Sequence, residues 1–167
     1  NLHCDKIFFD SFIKGKSDTD FLQYLIPSIS KEKIKDISKY KDEYFTEFLE
    51  LKNDILYDNV IAFFDNIQNS HIAIVTSCNK KAALNIINKY KLNKYISYVL
   101  AAEDVDKHKP HPKPYLKAAS IMKTSINKCI IIEDSNSGYM SAKNSNPFKI
   151  YMYFNGSNHF VKKINNN

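Results

Sequence analysis

The sequence contains no arginine and no tryptophan, and only three glycines and three cysteines in 167 residues. Each scarcity excludes something. DNA readers use the arginine fork for bidentate base contacts, and RNA binders often stack it on bases. All 24 basic residues here are lysine, so a net charge of +6 is weak support for nucleic-acid recognition. Asn occurs 18 times and Ile 21 times, the usage expected from an AT-rich codon pool, which accounts for a lysine-rich surface without any ligand. Its one credible use is attraction of a small anion. So few glycines rule out collagen-like and glycine-linker chains. Cys4, Cys78 and Cys129 are odd in number, far apart and without CxxC spacing, so neither a disulfide framework nor a zinc site is expected, and a reduced, cytoplasmic setting fits best. No apolar run approaches the roughly 20 residues of a membrane helix, and no secretory pattern is read at the start, so no membrane partner is expected. Without such a signal, the sequon Asn155-Gly156-Ser157 carries little meaning.

What is present suffices for a folded domain. The chain is 44% hydrophobic and 25% charged, enough for one core, with or without a small insert. The first third reads helical. A short amphipathic segment from Asp18 is stopped by Pro27, and Ser30 can cap a longer helix from about Lys31 to Lys52. Ile34, Ile37, Tyr44, Phe45, Phe48 and Leu49 keep close to a helical period there. Asn53 and Asp54 interrupt it, and a further helix is expected over about 58–69.

The pattern then changes to alternating strands and helices. Ile72 to Val75 and Cys129 to Ile132 are short continuous apolar runs, the signature of strands buried on both faces. Tyr95–Leu100 and Lys149–Phe154 read as further strands. Helices are expected over Lys80–Tyr90, Lys113–Lys123 and Ser137–Asn144, and the tail after Gly156 reads as frayed. Such alternation predicts an α/β fold with a parallel sheet. The expected division is a helical part over 1–54 and an α/β core over 55–167.

Open parallel sheets gather functional groups beyond the carboxyl ends of their strands. One apolar run ends in Thr76-Ser77 and the other in Glu133-Asp134-Ser135, with the stiff basic loop Lys107-His108-Lys109-Pro110-His111-Pro112 between them in sequence. Alone, each has a plainer use: the hydroxyls and the acids can cap helices, and a lysine is usually a solvated charge. Together they suit phosphate chemistry, with hydroxyls and lysine on phosphoryl oxygens and carboxylates on Mg2+.

These segments also carry a resemblance. Ile72-Ala73-Ile74-Val75-Thr76-Ser77 resembles motif II of the haloacid dehalogenase (HAD) superfamily. Lys109-Pro110-His111-Pro112 is similar to its Lys-Pro-x-Pro motif III, and Glu133-Asp134-Ser135-Asn136-Ser137-Gly138 to motif IV in its Glu-Asp-Ser-x-x-Gly form. The spacing is that of the subgroup containing β-phosphoglucomutase and related sugar-phosphate phosphatases. The resemblance implies a HAD-like Rossmannoid parallel-sheet core from about residue 57 and a small helical cap domain before it. By the same resemblance Thr76 holds the transferring phosphoryl group with Ser77 beside it, and Lys109 neutralises charge on nucleophile and phosphate. Glu133 and Asp134 bind Mg2+, directly or through water. Gly15, Lys16 and Ser17, in a segment beginning at Lys14, resemble the cap loop that meets substrate. Lys113 is a departure, since the family often has Asp there.

The family's nucleophile is the first Asp of an Asp-x-Asp motif closing a buried strand, the second serving as acid/base. Asp18-Thr19-Asp20 follows a turn, and Asp104-Val105-Asp106 sits in the loop before Lys109, so neither qualifies. Asn1-Leu2-His3 resembles the stretch just after that motif, so the expectation is a chain lacking an N-terminal piece with the nucleophile and the central strand. The function expected is that of a Mg2+-dependent hydrolase acting on a small phosphorylated metabolite through an aspartyl-phosphate. A sugar-phosphate mutase, a catalytically inactive HAD-like binding protein and, last, a nucleic-acid binder are the alternatives.

Overall fold

The structure is a computed structural model that describes residues 5–52, 55–57, 59–67, 69–153 and 162–163. It comprises two compact units, one of Asn1–Ser17 with Asp104–Asn167 and one of Asp18–Glu103. Asn53, Asp54, Asn1-Leu2-His3, Phe154 and, apart from Lys162 and Lys163, the tail after Gly156, all read above, lie outside the described residues.

In the unit of residues 18–103, helix α2 (Asp18–Leu25) precedes α3 (Lys31–Leu51). Ser30 caps α3 as its sequence position predicts, its Oγ accepting from the Lys33 N–H at 3.1 Å. Ile34 and Leu49 are buried on one face of α3. Tyr44 and Phe48 are exposed instead of joining that face, because with Tyr40 they form an i, i+4 row that runs along the solvent side. Next come α4 (Val60–Asn66), β1 (Ile72–Val75), α5 (Lys80–Lys89) and β2 (Ile96–Leu100). β1 and β2 pair in parallel, with Ile72 opposite Ile96 and Ala73 opposite Tyr98, which leaves Ser97 as an extra residue in β2. In this two-stranded sheet the residues of β1 are half-buried rather than sealed on both faces. Ile87, Leu92 and Tyr95 form one buried core cluster, packed by Leu56, Phe64, Ile74 and Val99. The Phe64 and Tyr95 rings stack at 5.3 Å.

In the other unit, α1 (Lys6–Phe8) leads through a π-helical turn at Phe9–Ile13 into a tight turn at Gly15. After residue 104 come α6 (Lys113–Ile121), β3 (Ile130–Glu133), α7 (Asn136–Ser145), β4 (Lys149–Met152) and β5 (Lys162–Lys163). β3 and β4 are parallel, with Ile131 opposite Ile150 and Glu133 opposite Met152. The unexpected β5 adds antiparallel to β4. β3 alternates, Ile131 and Glu133 buried and Ile130 and Ile132 exposed, so one face is covered and not two. The helices α6 and α7 touch, and their buried residues include the small Ala118 and Ala119 in α6 and Ser141, Ala142 and Ser145 in α7.

Candidate active site

The site in the unit of residues 104–167 is built around the end of β3. Glu133 is the last strand residue and is buried. Ser135 opens α7, its Oγ accepting from the Gly138 N–H at 3.0 Å. The same hydroxyl donates to Glu133 Oε2 at 3.3 Å, and the Asp134 N–H reaches that oxygen at 3.2 Å. Glu133 Oε1 accepts from the Lys109 ammonium and from the Tyr115 hydroxyl. Four donors thus converge on one carboxylate, filling its lone-pair directions.

Lys109 reaches Glu133 because its loop is fixed. Pro110 and Pro112 restrict the backbone, and α6 follows immediately. From α7, the fully buried Ser141 donates to the His111 carbonyl at 2.6 Å, and Asn144 reaches the Pro110 carbonyl at 3.4 Å. The Lys113 N–H donates to His111 Nδ1 at 3.1 Å. Lys109 is itself buried, with Nζ 5.1 Å from the centre of the Tyr115 ring. Burial first, then the charge and hydrogen bond of Glu133, hold the Tyr115 phenol far above its ordinary value, so it stays a neutral donor. Lys113, the departure from the expected pattern, pairs with Asp106 at 2.5 Å, and that hydrogen bond lowers the Asp106 carboxyl below its usual range.

Asp134 points the other way. Its side chain is 44% exposed and pairs with Lys14 at 3.1 Å. Gly15 adopts φ +79°, and a Cβ there would lie 2.5 Å from Ser135 Oγ, so the turn needs glycine both for its conformation and for its approach to α7. Lys16 sits over the Phe12 ring at 5.9 Å, and Ser17 is buried. Ser137 Oγ, in the first turn of α7, is buried and has no hydrogen-bond partner among the described residues. Sequence reasoning passed over Lys14, Tyr115 and Ser137 as site residues. Lys14 stood in the quoted loop, whereas Tyr115 lay unremarked inside the helix expected over Lys113–Lys123.

In the other unit, Thr76 follows β1, its N–H donating to the Leu100 carbonyl at 2.9 Å and its Oγ1 accepting from the Cys78 N–H at 3.0 Å. Ser77 is half-buried beside it. Asn79 then caps α5 through Ala82 at 2.8 Å, so the N-cap belongs to Asn79 rather than to the hydroxyl pair. Thr76 and Ser77 fall in the unit of residues 18–103, and the other named site residues fall in the unit of Asn1–Ser17 with Asp104–Asn167.

Mg2+ takes oxygen ligands in octahedral geometry and is often held by one or two carboxylates plus water and substrate oxygens. Among the described residues no three His, Cys, Asp or Glu side chains form a ready-made cage. The donor set nevertheless fits such an ion. Asp134 offers an accessible carboxylate, a water bridging Glu133 Oε2 to the ion would replace one of that oxygen's two long hydrogen bonds, and Ser137 supplies a hydroxyl with no partner among the described residues.

Motif segments, strand-end acids and a lysine-bearing proline loop are now placed, and comparison with known proteins gives them a family. The family model for haloacid dehalogenase-like hydrolases matches residues 9–150. The chain belongs to this family. A HAD hydrolase of family IA, variant 3, from Entamoeba histolytica has a similar structure, with TM-score 0.76, 25% identity, and coverage of 89% of this chain and 68% of that one. The β-phosphoglucomutase of Clostridium difficile shares the fold at TM-score 0.78 and 21% identity, covering 89% of this chain and 69% of its own. Phosphoglycolate phosphatase of Salmonella typhi is 25% identical over 116 residues, 68% of this chain and 46% of that enzyme. The HAD-like chain spans about half the length of the curated relatives it matches. None of its described helices is long and apolar enough to cross a membrane.

Proposed function

We propose that this HAD-family chain belongs to a Mg2+-dependent phosphatase that hydrolyses a small phosphate ester through an aspartyl-phosphate. The observation that carries this reading is the pairing of a buried Lys109–Glu133–Tyr115 node with the adjacent, solvent-facing carboxylate of Asp134. One acid positions a cation and the other is open to bind one, an arrangement suited to stabilising charge on a transferring phosphoryl group.

In this reading Asp134 holds Mg2+ directly and Glu133 holds it through water, and the metal would supply charge neutralisation at the phosphoryl oxygens. Lys109 stabilises negative charge on nucleophile and phosphate. Thr76 donates its hydroxyl to the phosphoryl group, with Ser77 next to it. Gly15, Lys16 and Ser17 form the substrate-facing loop, residues 1–54 the cap and 55–167 the core. The nucleophile is not one of the two Asp-x-Asp segments: Asp18 and Asp20 lie in α2, and Asp104 ends a short 3-10 turn, so neither closes a strand. The relatives that are phosphatases of small metabolites, and the cytoplasmic setting expected from cysteine usage, agree with a soluble phosphorylated substrate.

The test is hydrolysis of p-nitrophenyl phosphate by the full gene product. Activity that requires Mg2+ and falls at least about a hundredfold in Asp134→Asn supports the reading, each lost tenfold being about 1.4 kcal/mol of transition-state stabilisation. Metal-independent activity, or none, overturns it. Phosphoryl transfer that requires a bisphosphate activator would point to a mutase instead.

A further inference from the structure

Lys14 is a cation that the structure places on the open carboxylate of the site. Its Nζ lies 3.1 Å from Asp134 Oδ2, with 29% of its side chain exposed. This is not a lysine drifting over the surface. The Lys14 N–H is bonded to the Phe9 carbonyl at 2.9 Å, and the Lys16 N–H closes the turn onto Ile13 at 3.1 Å. Next to it, Gly15 is pressed against Ser135 and comes near Ser137, so the turn carrying Lys14 is seated on the start of α7. A second positive charge on Asp134 would lie within a few ångströms of that ammonium, a repulsion that an open, half-solvated site weakens without removing.

We propose that Lys14 is the built-in counter-ion of Asp134, an ammonium that a divalent cation must displace, so that this turn sets how tightly the site takes its metal. The proposal rests on the reading of Asp134 as a metal ligand. It adds a residue outside the three motifs and assigns it to metal affinity. Removing the charge at position 14 therefore tightens metal binding, and keeping the charge with a different side chain does not.

The experiment is calorimetric titration of the whole chain with MgCl2 at low ionic strength, for wild type, Lys14→Gln, Lys14→Arg and Asp134→Asn, each first checked for folding by circular dichroism. Lys14→Gln is expected to bind Mg2+ about fivefold more tightly, the scale of a half-exposed ion pair. Lys14→Arg should match wild type, and Asp134→Asn should lose the site. The gain in Lys14→Gln should shrink as NaCl is raised, since salt screens an exposed pair. Equal or weaker binding by Lys14→Gln, with wild type binding and Asp134→Asn not, overturns the role of Lys14 while leaving the metal site standing. A gain that persists unchanged in high salt also overturns it. No saturable binding by wild type overturns the metal reading itself, and this proposal with it.

Discussion

The α-carbon of Gly138 lies directly against the carboxylate of Glu133, so close that a Cβ on it would overlap both carboxylate oxygens. The five-residue spacing between strand-end Glu and helix Gly in motif IV thus has a packing cause. The carboxylate folds back over the first turn of α7, and only a residue without a side chain leaves it room. Gly138→Ala is expected to destabilise the protein by about 1–3 kcal/mol, the usual cost of overpacking a filled site. Urea denaturation measures it, and an unchanged midpoint would contradict this geometry.

Lys109 and Glu133 are both buried, which makes them unequal to the sum of two surface charges. Removing one partner strands the other, so Lys109→Met or Glu133→Gln alone should each cost about 3–5 kcal/mol. The double variant should cost much less than the two single losses added. A double-mutant cycle in denaturant reads the coupling directly, and simple additivity would show that the pair is not an energetic unit.

Tyr115→Phe keeps the ring and removes one donor from Glu133, at a cost of about 2 kcal/mol for a hydrogen bond to a charged group. Its pH dependence has a definite sign. The phenol's value is raised in the folded state, so it stays protonated there while in the unfolded chain it ionises near about 10. Stabilisation by this neutral phenol is complete below that pH and is lost as pH rises above it. The stability gap between wild type and Tyr115→Phe should therefore narrow from about pH 10 upward. Denaturation curves from neutral to alkaline pH test this, and a constant gap would refute it.

Ser30→Ala removes the side-chain acceptor from the first turn of α3 and should cost about 1 kcal/mol of stability. Aspartate at the same position should restore most of it, because its carboxylate also caps and favours the positive helix end. Thermal melts of the three proteins suffice, and failure of Asp to rescue would show that the cap contributes little.

Much of the fold was legible before any coordinates. Ile72–Val75 forms the strand its run of apolar residues announced, and the expected long helix begins at Lys31 behind its Ser30 cap and ends one residue early. Such elements declare themselves because capping, proline stops and apolar period act within a few residues. Burial was less legible. Tyr44 keeps a helical period yet faces solvent, and Ile130 and Ile132 sit in an apolar run yet are exposed, because periodicity names a face and not what covers it.

The sequence by itself determined the order and kind of the elements and the positions where polar groups leave the strand ends. Those depend on neighbours in the chain. Tertiary structure alone decided what each acid does. Glu133 is drawn inward by Lys109 and Tyr115, 24 and 18 residues away in sequence, and Asp134, one position on, is left to the solvent and to Lys14. Adjacent residues of an extended strand end point to opposite sides, and which side is buried depends on the helices that pack there. Two like carboxylates became a buried anchor and an open, lysine-paired surface group for that reason.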